Sequence, residues 1–319
     1  MKLFGTCVLV FFLLLLIVLT AATVYFFRFA HRRTAAVLPA LERTGPEWKE
    51  YGTMMADAEA WLAQQPTETV SVTSFDGLQL RGTYIPAENA RACVILFHGY
   101  RSYGMRDYAP LVPFYAQNGL STLVVDQRCC GKSEGKYITF GMLERRDALA
   151  WAQHMDKRFG GKMPLVLEGI SMGATTVMLT ADLPLPESVV GLIGDCGFTS
   201  PWDIITHCAK KWFHLPPFPM AHLLSMTAKL VAGFGYRDRS TVETLARSSL
   251  PICFIHGGKD DFVPAYMTEQ NYAAAAGEKR KVIVPEAGHG LSYLLEMDYC
   301  QQELLRYMDD ILGGTDHGS

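Results

Sequence analysis

The sequence predicts an α/β fold in which a mostly parallel sheet of about eight strands carries helices on both faces. Two observations predict it. Short apolar segments of strand length alternate with longer segments of helical spacing, which is typical of parallel strands joined by right-handed crossovers. Two further segments of alternating polarity flank Asp76-Gly77, which predicts an antiparallel hairpin at the start of the sheet. The chain between residues 67 and 313 contains no run that resembles a linker, so we expect one domain there.

The segment from Leu3 to Phe27 is almost entirely apolar. A length of about 25 residues is enough to cross a bilayer of ~30 Å and exceeds the apolar core of a cleavable signal peptide. We therefore expect residues 1–33 to be a single-pass membrane anchor that is not cleaved from the mature protein. Three arginines follow the segment, at 28, 32 and 33, whereas only Lys2 and the amino terminus precede it. By the positive-inside rule, this asymmetry favours a domain on the cytoplasmic side.

The elements after the anchor can be assigned in order from periodicity and from breaker residues. Residues 34–66 have helical spacing over 35–65 and end at Pro66, which predicts a helical connector. Strands are predicted at 69–75, 78–85, 92–97, 121–126, 164–168, 190–195, 251–256 and 280–285. Helices are predicted at 107–118, 142–159, 171–182, 265–276 and 291–312.

Residues 198–247 are too long to be an ordinary connection between a strand and a helix, which takes ~2 to 6 residues. The segment is rich in large apolar side chains and is interrupted by Pro216, Pro217 and Pro219. Because proline ends helices, we expect a cap of helices joined by a rigid turn. An apolar cap over a sheet would shape a hydrophobic pocket.

Composition excludes some classes of protein. A net charge of −3 and a pI near 6.3 provide no basic surface for nucleic acid. Eight cysteines in 319 residues are too few for a disulfide scaffold, and several fall in predicted strands, where buried thiols are expected. The adjacent Cys129 and Cys130 are either redox-active thiols or, as the simpler interpretation, small loop residues.

The segment Gly169-Ile170-Ser171-Met172-Gly173 lies between a predicted buried strand and a predicted helix. A G-x-S-x-G sequence in that context predicts a nucleophile elbow, in which a sharp turn exposes the serine hydroxyl. The flanking glycines, Gly169 and Gly173, would allow that turn. A second match contains Ser133, but it stands several residues after its strand and precedes no apolar helix, so a surface loop is the better interpretation.

A nucleophilic serine needs a histidine base and a carboxylate that orients the histidine. In this layout an acid and then a histidine should follow the serine along the chain. His289 stands between glycines after the last predicted strand, and Asp260 and Asp261 follow the strand before it. His256 is an alternative base, although it precedes these acids.

Asp195, at the end of a third strand, is an alternative acid. His207, His214 and His222 are spaced too widely for a zinc helix. We expect neither metal nor cofactor.

The loop after the third strand contains His98, Gly99 and Tyr100. An oxyanion hole in this layout takes one backbone N–H from that loop and one from the residue after the nucleophile. The expected donors are therefore the N–H groups of Tyr100 and Met172. We expect His98 to brace the loop and Gly99 to permit its turn.

Taken together, residues from about Thr69 to Met308 resemble the α/β-hydrolase superfamily, in particular the branch of serine aminopeptidase-like and monoacylglycerol-lipase-like enzymes. The segments that carry the resemblance are HGY at 98–100, DQRCCGKSEG at 126–135, GISMG at 169–173, HGGKDDFVP at 256–264 and AGHG at 287–290. The resemblance places the acid on Asp260 rather than on Asp195. Cys129-Cys130-Gly131 departs from the family's D-x-R-G-x-G pattern in a loop beside the site.

We therefore expect a membrane-anchored serine hydrolase that cleaves acyl esters through an acyl-enzyme. Its partners would be a small or lipid-like acyl substrate and the membrane, with no nucleic acid and no obligate protein partner. A serine peptidase and an acyltransferase use the same residues and remain alternatives. A binding protein built on a hydrolase fold is a further alternative, which predicts a damaged triad. Epoxide and haloalkane hydrolases are disfavoured because their nucleophile is a carboxylate.

Overall fold

One eight-stranded sheet organises the protein, whose computed structural model describes residues 2–33 and 51–313. The strand order is β1-β2-β4-β3-β5-β6-β7-β8. Strands β1 and β2 form the antiparallel hairpin, β2 also pairs antiparallel with β4, and all other pairs are parallel. The mostly parallel sheet predicted from the sequence is thus confirmed. The strands are β1 (Glu68–Thr73), β2 (Gln79–Ile85), β3 (Ala92–Phe97), β4 (Leu120–Asp126), β5 (Leu165–Ile170), β6 (Val189–Asp195), β7 (Ile252–Gly257) and β8 (Lys279–Val284).

Helices cover both faces of this sheet, as the sequence predicts. They are α1 (Lys2–His31), α2 (Gly52–Leu62), α3 (Gly104–Tyr108), α4 (Val112–Gln117), α5 (Glu144–Arg158), α6 (Met172–Thr180), α7 (Pro201–Phe213), α8 (Met220–Ala232), α9 (Thr241–Leu245), α10 (Tyr266–Ala274), α11 (Ser292–Leu295) and α12 (Met297–Ile311).

The central strand β3 shows why the fold has two cores. All six of its residues are buried, and successive side chains point to opposite faces of a sheet. Ile95 and Phe97 therefore pack with residues of α5 and α6. Val94 and Leu96 pack with residues of α3, α4 and α12 on the other face. A strand buried on both faces reads as a continuous apolar run, which is how this one appears in the sequence.

Two predicted helices are each divided in the structure. The helix predicted at 107–118 is wrong in its extent, because α3 ends at Tyr108 and α4 begins at Val112. Pro110 lies between them, and a proline lacks the N–H that a helix interior needs. The helix predicted at 291–312 is interrupted at Glu296, whose backbone leaves the helical region with φ −125° and ψ 60°. Of the predicted helical connector, α2 lies within the structure, whereas residues 34–50 lie outside the described ranges.

Three helices, α7, α8 and α9, lie between β6 and β7, in the segment expected to form a cap. Ser200 caps the first turn of α7, since its hydroxyl accepts a hydrogen bond from the N–H of Asp203. Three prolines separate α7 from α8, at positions 216, 217 and 219. Their fixed φ angles and missing N–H groups end one helix before the next begins.

Helix α1 stands apart from the sheet over most of its length. Within the described residues it is the one helix long and apolar enough to cross a membrane, by length and composition. Its large apolar side chains from Leu3 to Val18 are exposed, whereas Thr23, Phe27 and His31 are buried against the domain. The helix therefore docks through its last turns, which contact α7, α8, the loop before α5 and the loop after β3.

Candidate active site

Ser171 occupies a sharp turn between β5 and α6. Its backbone adopts φ 56° and ψ −114°, a conformation that non-glycine residues rarely adopt and that costs about 1–3 kcal/mol. The turn also requires glycine on both sides. A Cβ atom on Gly173 would lie 1.8 Å from the carbonyl oxygen of Phe97, and one on Gly169 would lie 2.1 Å from the carbonyl of Gly173. This close approach of α6 to the end of β3 brings the loop after β3 beside the serine.

His289 lies between Ser171 and Asp260. Its Nε2 atom is 2.9 Å from the Oγ atom of Ser171, and its Nδ1 atom is 2.7 Å from Oδ2 of Asp260. An Nδ1–H that donates to the carboxylate leaves Nε2 able to accept the serine proton. Three residues separated by 89 and 29 positions in the sequence thus form one hydrogen-bonded line.

Asp260 is buried, and one of its two oxygens is held by the main chain of the loop after β7. Its Oδ1 atom accepts hydrogen bonds from the N–H groups of Phe262 and Val263, at 2.9 and 2.8 Å. Burial alone would raise the pKa of Asp260, but the neighbouring His289 and His256 outweigh burial and hold that pKa well below its usual range. The carboxyl is therefore charged at neutral pH, as required to stabilise an imidazolium.

His256, the alternative base, does not face the serine. Its ring nitrogens contact the Thr268 hydroxyl at 2.7 Å and the carbonyl of Val263 at 2.9 Å, and its Nε2 lies 3.2 Å from Oδ2 of Asp260. Burial would lower the pKa of His256, but the hydrogen bond and charge of Asp260 raise it. The structure thus places His256 behind Asp260, where it supports the loop that carries Asp260.

The alternative acids and the alternative serine also lie elsewhere. Asp261 forms an ion pair with Lys211 of α7, at 2.8 Å. Asp195 is buried, and its Oδ1 has no hydrogen-bond partner among the described residues; burial raises its pKa to about 6. Ser133 is buried in a loop, where its hydroxyl donates to the carbonyl of Asp126 and accepts from the N–H of Arg81.

The loop after β3 is held by side chains at its base. The Nδ1–H of His98 donates to the carbonyl of Gly99 at 2.7 Å, and its Nε2 accepts from the N–H of Gln127 at 3.0 Å. The N–H of Gly99 donates to Oδ2 of Asp107 at 2.7 Å. A Cβ atom on Gly99 would lie 3.6 Å from Cβ of Ser171, so Gly99 and Tyr100 border the serine on one side.

Met172 begins α6 on the other side of the serine. Sequence reasoning missed Asp107, which stands in no recognisable motif, and it assigned no role to Gln127, although Gln127 lies within the segment DQRCCGKSEG.

A cavity of about 1120 Å³ lies above Ser171 and His289. Its lining is mostly apolar; helices α2, α7, α8 and the last turns of α1 contribute to it, together with the loops that follow β3, β7 and β8. The contributions of Phe26 and Phe29 were missed in the sequence, where both residues read as part of a membrane anchor. A cavity of this size accommodates a medium-sized apolar group beside the serine.

Cys196, Asp260 and His289 place one potential metal ligand each within 4.8 Å of one another. However, both oxygens of Asp260 already accept hydrogen bonds, and burial raises the pKa of the Cys196 thiol well above its usual range. A protonated thiol is a poor ligand. The geometry therefore fits a proton relay better than a cation.

The neighbouring Cys129 and Cys130 are buried, and burial raises the pKa of Cys129 to about 11. Such a thiol is protonated at neutral pH, which favours the interpretation of these two cysteines as structural loop residues.

This sheet, with a serine on the sharp turn after its fifth strand, has the α/β-hydrolase fold. The sequence family described as serine aminopeptidase, S33, matches residues 88–246. This range includes the loop after β3, the turn at Ser171 and nearly all of the cap segment, but it ends before Asp260 and His289.

The chain is also similar to individual proteins, by sequence and by structure. YqkD of Bacillus subtilis (strain 168) is 22% identical over 245 residues, which cover 77% of this chain and 80% of YqkD. The esterase Pf2001 of Pyrococcus furiosus has a similar structure, with a TM-score of 0.63 and 20% identity over 78% of this chain and 92% of that one. An esterase from Exiguobacterium antarcticum gives a TM-score of 0.57 and 18% identity, covering 76% of this chain and 100% of that one. At these identities, the solved structures show a shared fold.

Proposed function

We propose that this protein is a membrane-anchored serine hydrolase that cleaves acyl esters, with Ser171 as nucleophile, His289 as base and Asp260 as the acid that orients it. The observation that carries the proposal is the hydrogen-bonded line from Ser171 Oγ through His289 to Asp260, at 2.9 and 2.7 Å. Ser171 and His289 both line the cavity, so a substrate held there would meet the serine hydroxyl.

The reaction would proceed in two halves. In the first, Ser171 Oγ attacks the ester carbonyl while its proton passes to Nε2 of His289. The tetrahedral intermediate then collapses, and the imidazolium returns that proton to the departing alcohol, which leaves an acyl-enzyme. In the second half, His289 takes a proton from water, the hydroxide attacks the acyl carbonyl, and the acid product leaves as Ser171 regains its proton.

The negative charge on the intermediate's oxygen needs donors that are already in place. We assign this role to the backbone N–H groups of Tyr100 and Met172, which flank Ser171. Removal of one donor of this kind typically costs ~10²- to 10³-fold in rate. His98 donates a hydrogen bond to the carbonyl of Gly99, and Asp107 accepts one from the N–H of Gly99. These bonds keep the backbone of the loop in a fixed position, which supports this assignment.

The lining of the cavity favours an ester with an apolar acyl group over a peptide. An aminopeptidase would need a carboxylate available to bind the amino terminus of its substrate. Four carboxylates line the cavity, and three have partners already: Asp107 binds the loop after β3, Asp261 pairs with Lys211 and Glu286 pairs with Lys259. The fourth is the single residue Glu59 on α2, in a lining that is otherwise mostly apolar. A peptidase is nevertheless the second candidate, because the matching sequence family is described as serine aminopeptidase.

A fluorophosphonate probe tests the nucleophile directly. We expect it to label the full-length protein and to leave Ser171→Ala unlabelled, with Ser133→Ala labelled like the unmodified protein as the matched control. If the folded protein is not labelled, the enzyme assignment fails and a binding protein on a hydrolase fold becomes the better interpretation.

The ester and peptidase candidates can be separated by substrate. A series of p-nitrophenyl esters and a series of aminoacyl p-nitroanilides would be compared by kcat/KM on the same preparation. We expect the esters to be cleaved faster, with kcat/KM rising as apolar chain length increases. Faster cleavage of the anilides would reverse the order of the two candidates.

A further inference from the structure

The last turns of α1 form part of the wall of the cavity above Ser171. Phe26, Phe29 and Ala30 all line it. The rings of Phe26 and Phe29 also meet the ring of Phe213 on α7, with centroids 5.1 and 6.3 Å away. This wall is therefore built jointly by the anchor helix and by the segment between β6 and β7.

Polar contacts attach the same turns to the loop after β3. The Tyr100 hydroxyl donates to the carbonyl of Ala30 at 2.7 Å, and the Arg101 guanidinium donates to the carbonyl of Phe29. Carbonyls in the last turn of a helix have no partner within the helix, and a positive charge is favourable there. Tyr100 and Arg101 thus cap the carboxyl end of α1 with side chains from the loop that borders the serine.

The residues that follow fix α1 in place. His31 is buried, its Nδ1–H donates to the carbonyl of Ile138 at 2.7 Å, and its Nε2 accepts from the hydroxyl of Tyr236 at 2.6 Å. Arg33 donates to the carbonyls of Gly131 and Ser133. A linker between helix and domain would be enough to tether the domain to a membrane. So many buried contacts at the end of α1 are not needed for tethering alone.

We propose that the carboxyl end of α1 forms part of the active site. Phe26 and Phe29 determine the length of the acyl chain that is accepted. The contact between Ala30 and Tyr100 positions the loop after β3, here called the oxyanion loop. The proposal rests on the function proposed above. It adds that the anchor selects substrates as well as holding the protein at a membrane. Phe26 and Phe29 are specificity-determining residues, and the Tyr100 side chain is a positioning group for its own backbone N–H.

The first half of the proposal concerns chain length. Replacing Phe29 by alanine removes a ring from the cavity wall, so longer acyl chains gain room. Each additional buried methylene contributes about 0.8 kcal/mol, which is roughly a 4-fold change in kcat/KM. We expect Phe29→Ala to shift the preference among p-nitrophenyl esters by about two methylenes, a relative gain on the order of 10-fold for the longer esters.

The matched control is Phe11→Ala, which truncates the same side chain on the exposed part of the same helix. We expect its chain-length profile to equal that of the unmodified protein. If Phe29→Ala also retains that profile, the role in specificity is wrong.

The second half concerns the oxyanion loop. Tyr100→Phe deletes the hydroxyl that contacts Ala30 and keeps the ring that stacks on Phe140, with centroids 5.2 Å apart. Without that contact the backbone N–H of Tyr100 is held less firmly. This weakens its stabilisation of the transition state more than it weakens binding of the ester. We expect kcat to fall about 3- to 10-fold with KM unchanged. An unchanged kcat would refute the positioning role, and a rise in KM alone would do the same.

A photoaffinity measurement tests the cavity wall without turnover. A fatty acid with a diazirine at the end of its chain would be irradiated with full-length Ser171→Ala protein in detergent, and the adducts mapped by mass spectrometry. We expect adducts at residues 26–30 that disappear with excess unmodified fatty acid. Adducts confined to other parts of the chain, or adducts at 26–30 that resist competition, would overturn the proposal. Because this variant lacks the nucleophile, the result is independent of whether the protein is an esterase.

Discussion

His289 donates through Nδ1 to Oδ2 of Asp260 at 2.7 Å, across the two loops that follow the last two strands of the sheet. The same carboxylate is fixed by two backbone N–H groups, so its position is set by the main chain of its own loop. A carboxylate held in this way fixes the tautomer of the histidine and stabilises the imidazolium that forms when the serine is deprotonated.

The first prediction concerns the choice of acid. Asp260→Asn keeps the shape of the side chain but removes its charge and allows the amide to donate, which favours the wrong tautomer of His289. We expect kcat for an ester to fall about 10³- to 10⁴-fold, with similarly slowed fluorophosphonate labelling. The measurement is steady-state hydrolysis with labelling kinetics on the same preparations.

Asp195→Asn is the matched control for that variant, because Asp195 is the other buried aspartate at the end of a neighbouring strand. Its Oδ1 has no hydrogen-bond partner in the described part of the chain, and so we expect kcat within about 3-fold of the unmodified protein. If Asp195→Asn loses more activity than Asp260→Asn, the acid has been assigned to the wrong residue.

The second prediction concerns Gly173, the second residue after Ser171. A side chain at Gly173 would place Cβ 1.8 Å from the carbonyl oxygen of Phe97, and that atom belongs to the backbone of a buried strand. Gly173→Ala must therefore displace α6 from β3 and the serine with it. We expect a loss of stability of about 3 kcal/mol or more and at least a 10²-fold slower reaction with fluorophosphonate.

Gly194→Ala tests whether the effect comes from this contact or from any methyl group added to the core. Gly194 lies within β6, and a Cβ there would meet its nearest neighbour, Ala174, at 3.7 Å, an ordinary contact distance. We expect folding and labelling close to those of the unmodified protein. Equal damage from both variants would show that the elbow has no special requirement for glycine.

Part of the fold and part of the candidate site could be predicted from the sequence. The sheet was predictable because its strands are short apolar runs that local periodicity can recognise. The turn at Ser171 was predictable because Gly169, Ser171 and Gly173 form a short contiguous motif between a strand and a helix, even though the contact that requires Gly173 is with the distant Phe97. The break at Pro110 was visible in the sequence as well, but the apolar spacing on both sides of it favoured one continuous helix.

The contribution of α1 to the cavity could not be predicted, for a physical reason. Phe26 and Phe29 belong to a segment whose composition is explained completely by a membrane, so nothing in the sequence distinguishes a ring that faces lipid from one that faces a pocket. The contacts that separate them, such as Tyr100 with Ala30, join residues 70 positions apart. Pairings over such distances depend on tertiary packing, which periodicity does not encode.

The third prediction concerns Glu168, a buried carboxyl in β5 that accepts a hydrogen bond from the Tyr115 hydroxyl. Burial raises the pKa of Glu168 to about 8. In the unfolded chain this carboxyl would titrate near its ordinary value of 4.5. Between these two values the folded state holds a proton that the unfolded state has lost. The free energy of unfolding therefore falls as pH rises through that range, by up to about 1.4 kcal/mol per pH unit.

Glu168→Gln replaces the protonated carboxyl by a neutral amide, so this contribution to the pH dependence should disappear. We expect the difference in Tm, variant minus unmodified protein, to increase as pH is raised from 5 to about 8. The measurement is thermal unfolding in one buffer series. Glu187→Gln, at an exposed position, should leave the difference constant across the series. A difference that stays constant for Glu168→Gln as well would mean that its carboxyl is charged in the folded protein.

The last prediction concerns the side of the membrane on which the domain lies. Arg28, Arg32 and Arg33 follow the apolar part of α1, and only Lys2 and the amino terminus precede it, which favours the cytoplasmic side by the positive-inside rule. Lys162 is exposed on the domain, so Lys162→Cys provides a reporter thiol. Combining it with Cys7→Ser removes the one exposed cysteine among the described residues. We expect a membrane-impermeant maleimide to label the reporter only after the cells are permeabilised, whereas Cys7→Ser alone should remain unlabelled in both conditions. Labelling of the reporter on intact cells would place the domain outside the cytoplasm, and the charge asymmetry around α1 would then not determine its orientation.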